Sequence, residues 1–488
     1  MGILGQTRRR FLHQTALSLA ASALAAQARR PNVLWLMTDE QRPDSLGCHG
    51  SRWASSPHLD RLAAGGVLFE SAYTPSPVCV PCRCSLLTGN YGSTTGVLHN
   101  QQRLRAGTKF LTWAFEEAGY QTASFGKKHY FVDGRQAFQT EGGRVTEGIV
   151  EPEHYGKGYD AALHDALQYP DAPTKGVRRR WILGGQFPAP QGESAEAKNV
   201  DLALGWLEKR DPSRPFLLRL SLNAPHTPVV APAEFLNVID PDKIDLPLPG
   251  DEELAVAPDR ERLLLRDFEG SQVLSKAEIR KARHYYYARA AFADAEIGRL
   301  LGRMRERGWL EDTIVVFTAD HGTHLGDHGL FQKQTFYDQV ATVPYIFWWR
   351  GLDRRGVRLR TPAGTISLLP TLLELAGIGA GWPVEGSSLA KSVLKGEEPP
   401  AGPVFSEIQF GYQGYRDHDR QVMVREGRWK MSQFIGTKAP DGALYDLAAD
   451  PGETKNLFAV REHRDTVARL QSAISHWDRN RKLGEKTQ

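Results

Sequence analysis

The stretch Thr313-Ile-Val-Val-Phe-Thr-Ala-Asp-His-Gly322 passes from an apolar, β-branched run to an acid, an imidazole and a glycine. The run Thr313 to Thr318 is shorter than an ordinary helix and rich in Val and Ile, so it reads as a strand buried on both faces, as in parallel sheets. Asp320 and His321 then stand just past its carboxyl end. Three other runs have the same form. Asn32-Val-Leu-Trp-Leu-Met37 leads to Thr38-Asp39-Glu40. The weaker Gln121-Thr-Ala-Ser-Phe125 leads to Gly126-Lys127-Lys128-His129. Phe216-Leu-Leu-Arg-Leu-Ser-Leu222 leads to Asn223-Ala224-Pro225-His226. Helical patterns at 59–64, 111–118, 197–209 and 288–307 fall between them. Strands alternating with helices predict an α/β fold: a doubly wound, mostly parallel sheet flanked by helices. Such sheets bind ligands beyond the carboxyl ends of their strands. Four strand ends therefore deliver carboxylates, histidines and a lysine to one crevice.

The chain has 488 residues, 41% hydrophobic and 24% charged, an ordinary globular composition with enough material for a large core. No run of 18 or more apolar residues occurs, so neither a membrane-spanning helix nor a stable membrane anchor is expected. Thr7-Arg8-Arg9-Arg10-Phe11-Leu12 precedes a mildly apolar, alanine-rich stretch, and Ala26-Gln27-Ala28 offers a small-residue cleavage site. Residues 1–28 thus read as a twin-arginine-type signal peptide, with export to the periplasm or beyond the cell. The three arginines of that segment account for most of a net charge of +4, so the remainder is near neutral and gives no argument for nucleic acid. Residues 29–377 are expected to form the catalytic domain. After Gly377 the pattern changes to a polar connector around Gly386-Ser-Ser-Leu389, strand-like runs at 404–408, 421–424 and 429–432, and an amphipathic helix at 462–477. Residues 378–488 therefore read as a smaller C-terminal α+β subdomain. The irregular stretch 134–191, with the basic cluster Lys175, Arg178, Arg179 and Arg180, is expected to border the site, and 229–266 is a second irregular stretch.

All four cysteines, Cys48, Cys79, Cys82 and Cys84, lie close together, which points to local chemistry rather than a disulfide framework. In Cys79-Val-Pro-Cys-Arg-Cys-Ser-Leu-Leu-Thr-Gly89, Pro81 suits the first turn of a helix and Gly89 its end. Cys79 is then expected just before the helix N-terminus, which attracts anions and lowers a thiol's pKa. Arg83, four residues on, can hold a charged group beside it. The cysteine spacing alone leaves three readings open. Cys79 and Cys82 form a redox pair, or three or four cysteines bind zinc, or they are small core residues.

Cys79-x-Pro81-x-Arg83 followed by Leu86-x-Thr88-Gly89 resembles the signature of formylglycine-dependent sulfatases, in the alkaline phosphatase superfamily. The resemblance extends over nearly the whole chain after the signal segment. It implies that a formylglycine-generating enzyme oxidises Cys79 to an aldehyde, whose hydrate attacks sulfur. Gly119-Tyr-Gln-Thr122 leading to Gly126-Lys-Lys-His129 is similar to the family's second signature. By that likeness Lys127 binds the sulfate and His129 takes the proton that releases it. Asp39, Glu40, Asp320 and His321 fall where the family holds one divalent metal, usually calcium. Many members have aspartate at the position of Glu40 and asparagine at that of His321. Relatives resembling phosphonate monoester hydrolases use histidine at the latter. His226, in Ala224-Pro-His-Thr-Pro228, matches the general acid, and Lys333 a lysine that neutralises sulfate. Asn100 resembles a substrate-contacting asparagine. Leu444-Tyr-Asp-Leu447, Asp450-Pro-Gly-Glu453 and Asn456-Leu457 look like the family's C-terminal subdomain. At Cys82 the family more often has serine or alanine.

The expected activity is hydrolysis of a small-molecule or carbohydrate sulfate ester. The alternative on the same scaffold is a phosphonate monoester or phosphodiester hydrolase. A redox or zinc protein leaves Lys127, His129, His226 and Lys333 without purpose, and an inactive glycan-binding protein does not need the full catalytic set. His324 and His328 read as loop residues. Tyr285, Tyr286 and Tyr287 read as packing ahead of a helix.

Overall fold

The computed structural model describes residues 30–132, 134–143, 184–187, 189–227, 229–246, 275–409, 420–435 and 442–484. The signal segment and the cluster Lys175, Arg178, Arg179 and Arg180 lie outside them, as do most of 134–191 and 247–266.

The strands in chain order are β1 (Asn32–Asp39), β2 (Val67–Phe69), β3 (Ala72–Tyr73), β4 (Gln121–Gly126), β5 (Thr140–Gly142), β6 (Gly184–Gln186), β7 (Phe216–Pro225) and β8 (Val229–Ala231). They continue with β9 (Thr313–Ala319), β10 (Tyr345–Trp348), β11 (Val357–Leu359), β12 (Ala363–Gly364), β13 (Val404–Gln409), β14 (Arg420–Glu426), β15 (Trp429–Ile435) and β16 (Gly442–Asp446). Eight of them form one sheet in the order β11-β2-β10-β9-β1-β7-β4-β5. Its described pairings are parallel except those of β10, which runs antiparallel to both neighbours. The expected doubly wound, mostly parallel sheet is therefore what the chain forms.

Alternation along each strand divides the core. Val33, Trp35 and Met37 of β1 and Ile314 and Val316 of β9 face one layer. Leu34 and Leu36, Val315 and Phe317 face the other. The first layer is closed by the helices Cys79–Thr88, Leu111–Glu117, Leu368–Leu375 and Ala390–Lys395. The second is closed by Pro57–Ala64, Ala195–Lys209 and the long helix Lys276–Glu306. Strands β13 to β16 form an antiparallel sheet whose core includes Leu470 and Ile474 of the helix Arg464–Gly484. Leu389, Ala390 and Val393, past the expected boundary at 377, pack in the same core as Leu372.

Three helices differ from the sequence reading. The helix Lys276–Glu306 begins well ahead of 288, at a capping box in which Ser275 and Glu278 exchange side-chain to backbone bonds. The three tyrosines therefore lie inside it, not ahead of it, and Tyr286 and Tyr287 are buried. Cys79 is likewise the first residue of its helix, with Val78 as N-cap, rather than the residue before it. Pro81 sits at the third helical position, where its missing N–H costs no intrahelical bond. The last helix starts at Arg464 and runs on to Gly484.

Candidate active site

The sheet order places β9, β1, β7 and β4 side by side. Their pairings bring the carboxyl ends near one another: Thr38 pairs with Ala319, Asp39 with Pro225 across an irregularity after Met37, and Gly126, the end of β4, with Ser221. The four polar strand ends therefore open on one crevice. Gly126 has φ 95°, and a Cβ there would lie 2.0 Å from the Ser221 carbonyl oxygen, so only glycine lets β4 turn into Lys127 this close to β7.

The helix Cys79–Thr88 points its N-terminus into the same crevice, and every residue of it is buried. Asn100 Oδ1 accepts from the Val80 N–H at 3.0 Å, satisfying one of the unpaired donors of the first turn. The amide oxygen of Asn100 thus anchors the end of the helix that carries Cys79. Gly89, at φ 70°, ends that helix with its N–H on the Ser85 carbonyl.

Cys79 Sγ lies 3.1 Å from His321 Nε2, 3.2 Å from Lys333 Nζ and 3.6 Å from Asp39 Oδ1. Burial alone would push this thiol up, but Lys333, His321 and Lys127, with a hydrogen bond from His129, hold it well below its ordinary value. Cys82, one turn on, is pushed up by burial and by Asp320, and accepts from Thr74 Oγ1 at 3.2 Å. Burial also pushes Cys84 up. All four cysteines are free thiols. The helix thus carries one activated sulfur and two inert ones.

Cations and carboxylates interleave around that sulfur. Arg83 Nε donates to Asp320 Oδ2 at 2.8 Å, and its Nη2 lies 3.4 Å from Asp39 Oδ2. Arg83 Nη1 donates to Ser221 Oγ at 2.8 Å and to the Lys127 carbonyl at 3.2 Å. Lys127 Nζ pairs with Asp39. Burial opposes ionisation of Asp39, as does Cys79, yet Lys127, His226 and Arg83 keep it below the usual carboxylate range. Lys128, by contrast, turns away to Glu141.

Asp39, Cys79, Asp320 and His321 bring one ligand atom each to within 4.8 Å of one another. His321 Nδ1 lies 2.8 Å from the Gly322 carbonyl, which can only accept, so Nε2 is the ring nitrogen that faces the cluster. Burial lowers this imidazole, but Asp320 and Cys79 outweigh burial and Lys333 and raise it to about 9. Glu40, expected among the metal ligands, is not in that set of four. It joins Asp39 and His226 in a smaller group, with Lys333 Nζ at 3.1 Å and His226 Nε2 at 3.4 Å from its Oε2. The cause is its backbone, which adopts φ 62°. That conformation is held by its own N–H on Asp320 Oδ1 and by Tyr286 Oη donating to its carbonyl at 2.7 Å.

His226 is partly exposed, at 22%, while Lys127, Arg83, Asp320 and His321 are nearly or fully buried. His226 and the half-buried His129 therefore stand at the mouth, with the charged groups beneath. His324 and His328 are used in packing. His324 Nε2 meets Thr335 Oγ1 at 2.8 Å, and His328 stacks on Tyr337. Sequence reasoning missed Ser221 and Tyr286. Ser221 and Arg219 interrupt the apolar run of β7 at a spacing of two, the signal of one polar face on a buried strand.

Two family models match the chain: Sulfatase over residues 31–378, and N-sulphoglucosamine sulphohydrolase, C-terminal, over residues 326–480. An ulvan-active sulfatase of Formosa agariphila is 30% identical over 471 residues, spanning 93% of this chain and 81% of its own. The phosphonate monoester hydrolase SpPMH of Silicibacter pomeroyi superposes with a TM-score of 0.74 at 26% identity, over 92% of this chain and 96% of its own. BT4656, solved in complex with its substrate D-glucosamine-2-N,6-O-disulfate, superposes with a TM-score of 0.71 at 22% identity, over 93% of this chain and 98% of its own.

Proposed function

The chain belongs to the sulfatase family and is a sulfuric ester hydrolase, and from that premise we propose that its nucleophile is a formylglycine made from Cys79. The observation that carries this reading is the setting of the Cys79 sulfur, at a helix N-terminus within 3.1 to 3.6 Å of His321, Lys333 and Asp39. A side chain so placed meets an anionic group already surrounded by cations. Arg83, Lys127 and Lys333 gather the ester's sulfate, which lets an electron-rich oxygen approach it. One hydroxyl of the hydrated aldehyde attacks sulfur, with Asp320 beside it to accept a proton, and the ester's S–O bond breaks. His226 Nδ1 lies 2.6 Å from the Thr227 carbonyl, which can only accept, so Nε2 is the nitrogen that gives a proton to the departing oxygen. His129 takes the proton of the second hydroxyl. The C–O bond to sulfate then breaks and the aldehyde returns.

Asp39, Asp320, His321 and the side chain derived from Cys79 fit one divalent cation, being two carboxylates and an imidazole around a common point. Bound there, such a cation would supply positive charge that polarises the sulfate oxygens and the attacking hydroxyl. Calcium follows from the family likeness, and elemental analysis of purified enzyme tests it. The substrate is a sulfate ester of a small molecule or a carbohydrate, which the enzyme meets after its own export by the twin-arginine route. Mass spectrometry of the peptide spanning Cys79 tests the central claim. Fully active enzyme with an unmodified thiol there would overturn it.

A second reading, a phosphonate monoester or phosphodiester hydrolase, is favoured by one observation: an imidazole, that of His321, stands in the cluster with Asp39, Asp320 and Cys79. Paired assays on an aryl sulfate and an aryl phosphonate or phosphodiester decide between them. A kcat/KM higher on the phosphorus ester selects the second.

A further inference from the structure

One buried cation beside the site has no part in the chemistry above. Arg219, in the middle of β7, has 0% of its surface exposed. Among the described residues it has no ion-pair partner, and its Nε and Nη1 have no hydrogen-bond partner. Its guanidinium lies 5.0 Å from the Trp35 ring and 5.5 Å from the Tyr130 ring. Burial pushes its pKa down, to about 10, which leaves it charged at neutral pH. The two rings, with Glu141 and Asp320 farther off, offset only part of the cost of burying a charge that has no ion-pair partner. What Arg219 does bond is the Lys127 carbonyl, from Nη2 at 2.9 Å. Arg83 Nη1 shares that carbonyl and also holds Ser221 Oγ, two residues along β7 on the same face as Arg219. The backbone of Lys127 is therefore gripped by two guanidinium groups, just where Gly126 presses against Ser221.

We propose that Arg219 is a positioning residue of the sulfate site: through the Lys127 carbonyl it fixes the lysine that receives the ester's sulfate, and its charge adds to the positive field behind Arg83. This rests on the reading of Lys127 as a sulfate ligand. A group that merely fills space would make its contribution to stability alone. A group that fixes Lys127 and adds charge also sets the affinity for the anion.

The experiment measures the competitive inhibition constant of inorganic sulfate, kcat and KM on an aryl sulfate, and the melting temperature, for Arg219→Met, Arg219→Lys and Lys127→Met in the full-length mature enzyme. Arg219→Met is expected to weaken sulfate binding by about tenfold or more, the loss typical of a charge-assisted hydrogen bond. Arg219→Lys, which keeps charge and donor, is expected to stay within about threefold of the parent at that same scale. Sulfate binding by Arg219→Met within twofold of the parent overturns the proposal. So do equal losses in the Lys and Met variants that follow their melting temperatures. If Arg219→Met does not fold, Arg219→Gln is read instead. It keeps a donor and loses the charge, and unchanged sulfate affinity in it overturns the proposal. Unchanged sulfate affinity in Lys127→Met refutes instead the reading of Lys127, and so separates the two failures.

Discussion

At the scale of single residues, histidines serve this molecule in different ways. His129 stands where it can take the proton that lets sulfate leave, so His129→Ala is expected to slow turnover by about 10²–10⁴-fold, the range for losing a general base. A sulfated enzyme should then accumulate, and rapid acid quench with mass measurement of the intact protein detects it. Unaffected turnover with no such adduct counts against the role. His324 is fully buried, and burial, with His328 and Arg42 nearby, drives its pKa well below the ordinary value. The folded state keeps it neutral, whereas the unfolded chain protonates it below about pH 6.5. Its contribution is therefore complete above that pH and falls by up to about 1.4 kcal/mol per pH unit below it. Thermal melts between pH 7 and 5 should show a shallower fall for His324→Gln than for the parent. Parallel curves would remove His324 from the acid response.

The individual site residues were legible in the sequence to the extent that they end strands. Asp39, Lys127, His226 and Asp320 each follow an apolar run, and parallel packing brings such ends together whatever the loops between do. Lys333 and Asn100 lie on loops, where only the likeness to a family located them. The direction of Glu40 was not legible, because it depends on a left-handed backbone held by Tyr286, a residue 246 positions away in the chain. A carboxylate's neighbour list is set by torsion as much as by order in sequence.

Elements carry the next layer of constraint. The helix Cys79–Thr88 is buried on all sides, so its register is set at its ends, by Asn100 at one and Gly89 at the other. A Cβ on Gly89 would stand 2.8 Å from Leu111 Cδ1 and 3.1 Å from Val384 Cβ, on a backbone already at φ 70°. Gly89→Ala is expected to cost about 1–3 kcal/mol through strain and overpacking. Asn100→Ala removes the acceptor for Val80 N–H and is expected to cost about 1 kcal/mol, as a lost helix cap does. Chemical denaturation measures both. Because Asn100 holds the end that carries Cys79, its variant should lose activity out of proportion to stability. Equal proportions would reduce it to a simple cap. The helix Lys276–Glu306 shows why element limits were less legible than element types. Three successive tyrosines masked its first turns, while the Ser275 and Glu278 pair that starts it was present all along.

Across the whole molecule, the two sheets are joined by charge as well as by apolar packing. Lys430 of β15 is nearly buried and pairs with Glu453 and, at 2.5 Å, with Asp338. Asp338 opens the short helix Asp338–Ala341, five positions after Lys333, and its own N–H is held by Glu453 at 2.6 Å. Lys430→Met leaves the buried Glu453 and the partly exposed Asp338 without their cation and is expected to destabilise by about 3 kcal/mol. The Lys333 loop should loosen with it, so KM should rise in the same variant. A melting temperature within a degree of the parent would show that the junction rests on its apolar contacts.

Cys79 and the strand end that completes its pocket are far apart along the chain, His321 lying 242 positions after Cys79. A ribosome working at about 5–20 residues per second takes roughly 10–50 s to cover that distance. Throughout that interval the Cys79 segment is outside the ribosome without Asp320, His321 or Lys333 to enclose it. The topology thus supplies a clock. If Cys79 is converted as proposed, a modifying enzyme that reads the extended cysteine motif has tens of seconds of access on each nascent chain, and slowing or hastening translation between the two segments should change the fraction of enzyme that emerges converted.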